Sequence, residues 1–224
     1  MIKLDISHLS WQLNKSFNIS RGSKNTAETI EVKLTENKFT GIGECVPYGR
    51  YNETLESVQK EILELKDGIE NSEINKKNLD QFINNGAARN AIDCALWDLE
   101  SKKKKETVWS MLDIQKPQEI PSSYTVVLDD PDKMIEDIHD HREFPTIKKK
   151  IDNKNLDRIL TNARESLPNT TIIVDANESF EVDDLNKNID LFVKTKIDLL
   201  EQPLISTNDD LSLIHISEPT RPLT

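Results

Sequence analysis

The chain opens with apolar and polar residues in alternation. In "IKLDISHLSWQL" (2–13) and "AETIEVKLTE" (27–36), apolar residues recur at every second position over most of each stretch. A period of two is typical of half-buried strands in an antiparallel sheet. Turn-forming residues in "TENKFTGIGE" (35–44) follow these stretches, so the pattern predicts a small sheet within about the first 46 residues.

The pattern then changes to a helical period. The stretch 54–69, "TLESVQKEILELKDGI", is predicted to form one helix, and 87–106, "AARNAIDCALWDLESKKKKE", another. Lys102 to Lys105 lie at the end of the second helix, where the helix dipole favours cations. The apolar residues expected to be buried are Leu55, Val58, Ile62 and Leu65 in the first helix, and Ala88, Ile92, Ala95, Leu96 and Leu99 in the second.

From about Pro121, predicted strands alternate with predicted helices. This rhythm favours parallel strands joined by right-handed crossovers. Four such units fit an open doubly wound sheet or part of an eight-stranded barrel. The predicted strands are "SYTVVL" (123–128), "TIKKKI" (146–151), "TIIVDAN" (171–177) and "IDLLEQP" (197–203), and the predicted helices are 131–144, 155–167 and 182–195.

Composition narrows the classes of partner. The net charge of −11 repels nucleic acid and anionic membranes, so neither is an expected partner. No stretch approaches the ~20 apolar residues of a membrane span, and the first residues lack the pattern of a secretion signal. Cys45 and Cys94 lie far apart and are expected to be buried free thiols, so we expect a cytoplasmic protein.

Charged residues mark the ends of three predicted parallel strands. These are Lys148 to Lys150, Asp175 to Asn177, and Glu201. Strand alternation places Lys148 and Lys150 on one face and Lys149 on the other. Asp175 and Glu201 are one strand-helix-strand step apart. Ligands bind at the carboxyl ends of parallel strands, and carboxylates there suit Mg²⁺, so we expect a magnesium site.

These motifs resemble the enolase superfamily, in its mandelate racemase and muconate lactonizing branch. The resemblance implies an α+β capping domain over 1–118 and an incomplete TIM-like (β/α) barrel over 119–210, with about four of eight strands. By the same resemblance, Lys150 is the base and Lys148 its electrostatic companion. Asp175 and Glu201 are the metal ligands, and Asn177 lies near the metal and substrate.

Two segments in the first half extend the resemblance. "GIGECVPYGRYNET" (41–54) resembles a mobile loop over the site and is especially similar to that of dipeptide epimerases of the L-Ala-D/L-Glu type. The segment 18–30 corresponds to the other specificity loop. The substrate-binding residues implied are Arg21, Tyr48, Arg50 and Tyr51.

Two residues depart from the family pattern. Lys149 stands where an apolar residue is expected, and we predict that its side chain extends so that the ammonium reaches water. Asn52 stands in the loop where a small residue such as glycine is expected.

The implied reaction is Mg²⁺-dependent epimerisation of dipeptides, through proton abstraction next to a carboxylate and an enolate intermediate. This makes the protein an isomerase with a small dipeptide or other carboxylate as its partner; a homo-oligomer of the full-length protein stays open. The alternatives are a cycloisomerase, such as a muconate lactonizing enzyme or o-succinylbenzoate synthase, an acid-sugar dehydratase, or a non-catalytic fragment.

The last residues do not follow this plan. The family pattern also has a carboxylate on the fifth barrel strand and a lysine on the sixth, and both are absent from this chain. Residues 211–221, "LSLIHISEPTR", resemble a translated sequencing adapter. We therefore expect that natural sequence ends near Asp210, that 211–224 is a non-native tail, and that this truncated chain is inactive.

Overall fold

The computed structural model describes residues 1–19 and 22–205. The chain forms two compact units. One contains Met1–Asn14 and Asn25–Gln118, and the other contains Lys15–Lys24 and the chain from Glu119 onward. The expected tail 211–224 lies outside the described residues.

A three-stranded sheet forms at the start of the chain. Its strands are β1 (Lys3–Ile19), β2 (Gly22–Glu36) and β3 (Phe39–Cys45), in that order across the sheet. Strands β2 and β3 pair antiparallel, and Asn37 in the turn between them has the left-handed φ of 55° that asparagine tolerates. The sheet predicted from the alternating pattern is confirmed.

Helices complete the first unit. They are α1 (Leu55–Glu64), α2 (Lys66–Glu70), α3 (Ala87–Lys104) and α4 (Val108–Met111), with short 3-10 turns at Gly49–Tyr51 and Leu79–Gln81. The five apolar residues predicted for the face of α3 are all buried, together with Ala91. Helix α1 buries Val58 and Ile62, while Leu55 and Leu65 are partly buried against the same core.

Strand β3 lies unusually close to α3. A Cβ atom added at Gly43 would collide with the main-chain oxygen of Ala91, and one added at Gly41 would collide with main-chain atoms of Ala95 and Leu99. The packing therefore needs two glycines on the strand opposite small residues on the helix. The sequence "GIG" in β3 is explained by this close approach.

The second unit contains four parallel strands with helices between them. Its elements are β4 (Ser123–Val126), α5 (Pro131–Asp140), β5 (Thr146–Lys150), α6 (Leu156–Ser166), β6 (Thr171–Asp175), α7 (Val182–Lys194) and β7 (Leu199–Glu201). The strands lie in the order β4-β5-β6-β7, and each pairing is parallel. The predicted alternation of parallel strands and helices is confirmed.

One face of this sheet packs against its helices. Ile147, Ile172 and Val174 are buried on that face, and residues such as Ile138 and Leu160 reach them from the helices. The core of the second unit therefore lies between the sheet and its helices. The other face carries Lys148, Lys150 and Asp175.

Arg164 connects the segments at the amino ends of β6 and β7. Its guanidinium is largely buried and donates to main-chain carbonyl oxygens, at 3.0 Å for Thr170 and 2.5 Å for Lys196. It also donates to the carbonyls of Thr195, Leu167 and Pro168. One side chain thus satisfies carbonyl groups near the starts of two strands.

Lys149 does not reach water, and our prediction for it was wrong. Its side chain is fully buried, and its Nζ donates to the carbonyl oxygen of Ile159 in α6 at 3.2 Å. Burial lowers the pKa of Lys149 from 10.5 to about 7, because the charged form loses its hydration. The helices on this side of the sheet leave the ammonium no path to the surface.

A second expectation also needs correction. Cys45 is buried, as predicted, but Cys94 is exposed. Cys94 lies on α3 beside the buried stripe rather than in it, so helical periodicity orients it away from the core. Among the described residues, no helix combines the length and the apolar character that a bilayer span requires.

Replacing Gly43 by alanine should destabilise the first unit. The added methyl group must displace backbone of α3, and overpacking that shifts the backbone typically costs about 1–3 kcal/mol. Urea unfolding followed by circular dichroism measures the loss. Gly49→Ala is the matched control, since a Cβ there has no neighbour within 4 Å. Equal stability of the two variants would contradict this packing.

Replacing Lys149 by methionine should stabilise the protein near neutral pH. The folded state holds Lys149 with a pKa of about 7, whereas the unfolded chain keeps it near 10.5. Between pH 7 and pH 10.5, the Lys149 side chain is therefore mostly protonated in the unfolded state and mostly neutral in the folded state. Stability therefore rises with pH, by up to about 1.4 kcal/mol per pH unit from this group, and the cost of burying the charge is fully present below pH 7.

The Lys149→Met variant should lose this slope and gain about 2 kcal/mol or more at pH 7. Urea unfolding at several pH values between 7 and 10 measures both effects. Lys154→Met, at an exposed position, serves as the control. An unchanged pH slope in Lys149→Met would show that this residue titrates normally in the folded protein.

Candidate active site

Four charged side chains come together at the carboxyl ends of the parallel strands. The register pairs Lys150 with Asp175, and Asp175 with Glu201. Paired residues on adjacent strands have side chains on the same face of the sheet. The last residues of β5, β6 and β7 therefore form one row, and Lys148 lies two residues earlier on the same face.

Lys148 contacts both carboxylates of this row. Its Nζ lies 3.0 Å from Oδ2 of Asp175 and 2.7 Å from Oε2 of Glu201. Burial acts to lower the pKa of Lys148, but the hydrogen bonds to Glu201 and Asp175 outweigh it, so the pKa lies above the ordinary value. The ammonium of Lys148 thus occupies a position for a cation between two carboxylates.

Lys150 contacts the same carboxylate oxygen as Lys148. Its Nζ lies 2.6 Å from Oδ2 of Asp175, and the side chain of Asp175 is 1% exposed. Burial acts to raise the pKa of Asp175, but hydrogen bonds from Lys150, Lys148 and the N–H of Asn177 hold the pKa below its ordinary value. Asp175 is therefore a buried carboxylate that stays ionised because its partners are cationic.

The residues after the strands adopt an uncommon backbone conformation. Asn177, Glu178 and Gln202 have φ values of 47°, 65° and 45°, in the left-handed region. Asn177 is buried; its N–H donates to Oδ1 of Asp175 at 2.9 Å, and its Nδ2 lies 3.4 Å from Oε1 of Gln202. Left-handed residues other than glycine store local strain and often cluster at functional sites.

The donor set is compatible with a magnesium ion. Among the described residues, no group of three or more His, Cys, Asp or Glu side chains could hold a metal. Asp175 and Glu201 nevertheless converge on one cation, the Lys148 ammonium. Mg²⁺ often binds proteins through one or two carboxylates and completes its shell with water or substrate oxygens, so two converging carboxylates fit it.

Of the loop residues expected to contact substrate, three lie at one described turn and one lies outside the described residues. Tyr48, Arg50 and Tyr51 lie at the 3-10 turn Gly49–Tyr51 of the first unit, where the rings of Tyr48 and Tyr51 meet edge to face at 5.7 Å. Arg21 lies outside the described residues. Asn52 ends the turn with a left-handed φ of 60°, which asparagine adopts more readily than most residues, so glycine is not required there.

Sequence reasoning missed two polar residues beside these groups. Gln202 reaches Asn177, and its position inside "EQP", directly after the proposed ligand Glu201, could have indicated it. Glu53 accepts hydrogen bonds from the N–H groups of Tyr48 and Ala87. Its neighbour in space, Ala87, is distant in sequence, so no local signal would have found the second contact.

Comparison with known proteins agrees with this architecture. L-Ala-D/L-Glu epimerase of Escherichia coli is 34% identical over 212 residues, which are 94% of this chain and 65% of that protein. The chain therefore spans less than two thirds of the length of this relative.

Solved structures show the same fold. An enolase family member from Agrobacterium tumefaciens with homology to dipeptide epimerases, bound to sodium and L-Ala-L-Glu, superposes with a TM-score of 0.89 at 34% identity. The match covers 94% of this chain and 64% of that one. The dipeptide epimerase of Enterococcus faecalis, complexed with Mg and L-Leu-L-Tyr, gives 0.81 at 25% identity, over 92% and 62%.

These matches decide between the two architectures left open by the sequence. The fold is a capping domain followed by an incomplete (β/α) barrel, not an open doubly wound sheet. Residues 1–113, half of the 224-residue chain, match the family described as mandelate racemase / muconate lactonizing enzyme, N-terminal domain. The resemblance inferred from the motifs is confirmed, and the chain belongs to the mandelate racemase / muconate lactonizing enzyme family.

Proposed function

We propose that the protein is a Mg²⁺-dependent dipeptide epimerase, acting on substrates of the L-Ala-D/L-Glu type. The observation that carries the proposal is the charged row itself, in which Lys148 contacts both Asp175 and Glu201 while Lys150 contacts Asp175. A base and a pair of metal-binding carboxylates at one end of a barrel suit proton abstraction next to a carboxylate. The relatives named as epimerases support the choice of reaction.

Each residue of the row has a proposed role. Asp175 and Glu201 hold the ion, which when bound stabilises negative charge on the carboxylate oxygens of the substrate. Lys150, which is paired with Asp175 in this structure, would first lose its own proton and then take the proton from the α-carbon. Lys148 stays protonated through its two carboxylate partners and stabilises the negative charge of the enolate. A lysine or histidine base working with Mg²⁺ is general in the enolase superfamily, and the role of Lys150 follows from that resemblance rather than from a distance.

Substrate recognition is assigned to the loops. We propose that Arg21 and Arg50 attract the acidic side chain of the dipeptide, that Tyr48 and Tyr51 cover it, and that Asn177 lies beside the reacting carboxylate. The Agrobacterium structure contains L-Ala-L-Glu, which supports an acidic dipeptide as the substrate.

We also propose the domain limits 1–118 and 119–210, with 211–224 as a non-native tail. The division of the structure into two compact units supports the first limit. Epimerisation needs a second acid that returns the proton on the opposite face of the α-carbon. In this proposal that group belongs to a further part of the barrel, so the 224-residue chain by itself is inactive.

Proton exchange at the α-carbon tests the proposed reaction. L-Ala-L-Glu is incubated with Mg²⁺ in D₂O, and the Glu Hα signal is followed by proton NMR. The 224-residue chain should leave the dipeptide unchanged, whereas residues 1–205 joined to the C-terminal third of the Escherichia coli relative should exchange the proton and form the D-Glu epimer. Exchange is expected to fall by a factor of about 10² or more in Lys150→Gln, as for loss of a general base.

Lys154→Gln is the matched control for this variant, because Lys154 is exposed and lies outside the row. Epimerisation by the 224-residue chain would contradict the proposal that it is inactive. A fused chain that binds the dipeptide without exchanging its Hα would contradict the epimerase reaction itself.

Metal removal tests the proposed cofactor. The same fused chain, treated with EDTA, should lose exchange and regain it when Mg²⁺ is added. Asp175→Asn and Glu201→Gln should each weaken Mg²⁺ binding by about tenfold or more in calorimetric titrations, since each removes a charged ligand. Asp190→Asn, at an exposed position on α7, should bind normally. Exchange that survives EDTA would exclude Mg²⁺ as the cofactor.

A further inference from the structure

Glu53 connects two parts of the first unit that are far apart in sequence. Its Oε2 accepts the N–H of Tyr48 at 3.0 Å, and its Oε1 accepts the N–H of Ala87 at 2.7 Å. Tyr48 begins the 3-10 turn Gly49–Tyr51, and Ala87 is the first residue of α3. One carboxylate thus joins the loop to the amino end of the longest helix in this unit.

The helix end needs such a partner. The first N–H groups of any helix lack partners within the helix, and the residue before it often supplies a side-chain acceptor. Here that residue is Gly86, which has no side-chain hydrogen bond to offer. The carboxylate of Glu53 takes this place and is also favoured by the positive end of the helix dipole.

Gly86 makes room for this carboxylate. Its φ is 167°, an extended conformation that any residue can adopt, so the backbone does not require glycine. A Cβ atom at this position would lie 2.9 Å from Oε1 of Glu53. The absence of a side chain at Gly86 therefore matches the presence of the Glu53 carboxylate.

The loop tip beyond this anchor is a closed turn. The N–H of Tyr51 donates to the carbonyl of Tyr48 at 2.9 Å, and the N–H of Asn52 donates to that of Gly49 at 3.1 Å. The aromatic pair of Tyr48 and Tyr51 packs across the same turn. Since Tyr48 takes part in both the anchor and the turn, its position determines where Arg50 and Tyr51 are presented.

We propose that Glu53 is a positioning residue: it fixes the loop tip 48–52 against the amino end of α3 and so sets the placement of Tyr48, Arg50 and Tyr51. The assignment of these three side chains to an acidic dipeptide rests on the proposed function. The anchor itself rests on the contacts of Glu53 alone. An experiment can therefore contradict the substrate assignment while supporting the Glu53 anchor, or the reverse.

Amide hydrogen exchange in the 224-residue chain tests the anchor. In Glu53→Ala, the N–H groups of Tyr48 and Ala87 should exchange about tenfold faster or more, because each loses a hydrogen bond to a charged acceptor. Gly86→Ala should accelerate the same two amides by crowding the carboxylate while Glu53 is still present. Glu53→Gln, which keeps a single acceptor oxygen, should give a smaller effect.

Glu61→Gln, at an exposed position on α1, is the matched control and should leave both amides within about twofold of wild type. Acceleration at Tyr48 and Ala87 in both Glu53→Ala and Gly86→Ala supports the anchor. Unchanged exchange at these two amides in folded Glu53→Gln and Gly86→Ala overturns it.

Affinity for L-Ala-L-Glu in the presence of Mg²⁺ separates positioning from a purely structural role. In calorimetric titration of the fused chain used above, Glu53→Gln should weaken binding by about tenfold, while its melting temperature stays close to that of the fused chain without substitution. Normal affinity together with fast exchange would overturn the positioning role. If the fused chain without substitution fails to bind the dipeptide, the proposed function fails, and the exchange rates still decide whether Glu53 anchors the loop.

Discussion

The second unit depends on one buried carboxylate. Asp175 is almost completely removed from water and is held by the ammonium groups of Lys148 and Lys150. Removing either lysine would leave the buried charge of Asp175 with one cationic partner instead of two, which costs more than loss of an exposed ion pair. The strands must therefore keep the register that pairs Lys150 with Asp175. A shift by one residue would turn Lys149 toward the charged row and both lysine partners away from it.

Much of the charged row can be predicted from the sequence, because the positions of its residues follow the regular spacing of strands and of strand-helix-strand units. Strand alternation puts Lys148 and Lys150 on one face, and a strand-helix-strand repeat brings Asp175 beside Glu201. Both rules depend on residues that are close in sequence or one repeat apart, so they can be applied without coordinates. The family resemblance then assigned chemistry to positions that the periods had already grouped.

Other features could not be predicted because they depend on contacts between distant segments. Lysine is usually found at the surface, so the sequence gives no sign that Lys149 is buried. Its burial results from the position of α6, which brings the Ile159 carbonyl within reach. The contact between Glu53 and Ala87 spans 34 residues. Likewise, the need for glycine at 43 arises from the approach of Ala91 on α3, which no local pattern of β3 encodes.

The contacts of Arg164 lie at the opposite end of β6 and β7 from the charged row. Its guanidinium holds the carbonyl groups of Thr170 and Lys196, just before β6 and β7, whereas the charged row lies where those strands finish. Backbone order at one end thus does not depend on the side chains at the other. Substitutions in the charged row remove no group that Arg164 contacts, and in barrel enzymes such a separation of the two ends lets new chemistry arise on an unchanged scaffold. In this chain, the main-chain contacts of Arg164 fix the starts of β6 and β7 without using any side chain of the charged row.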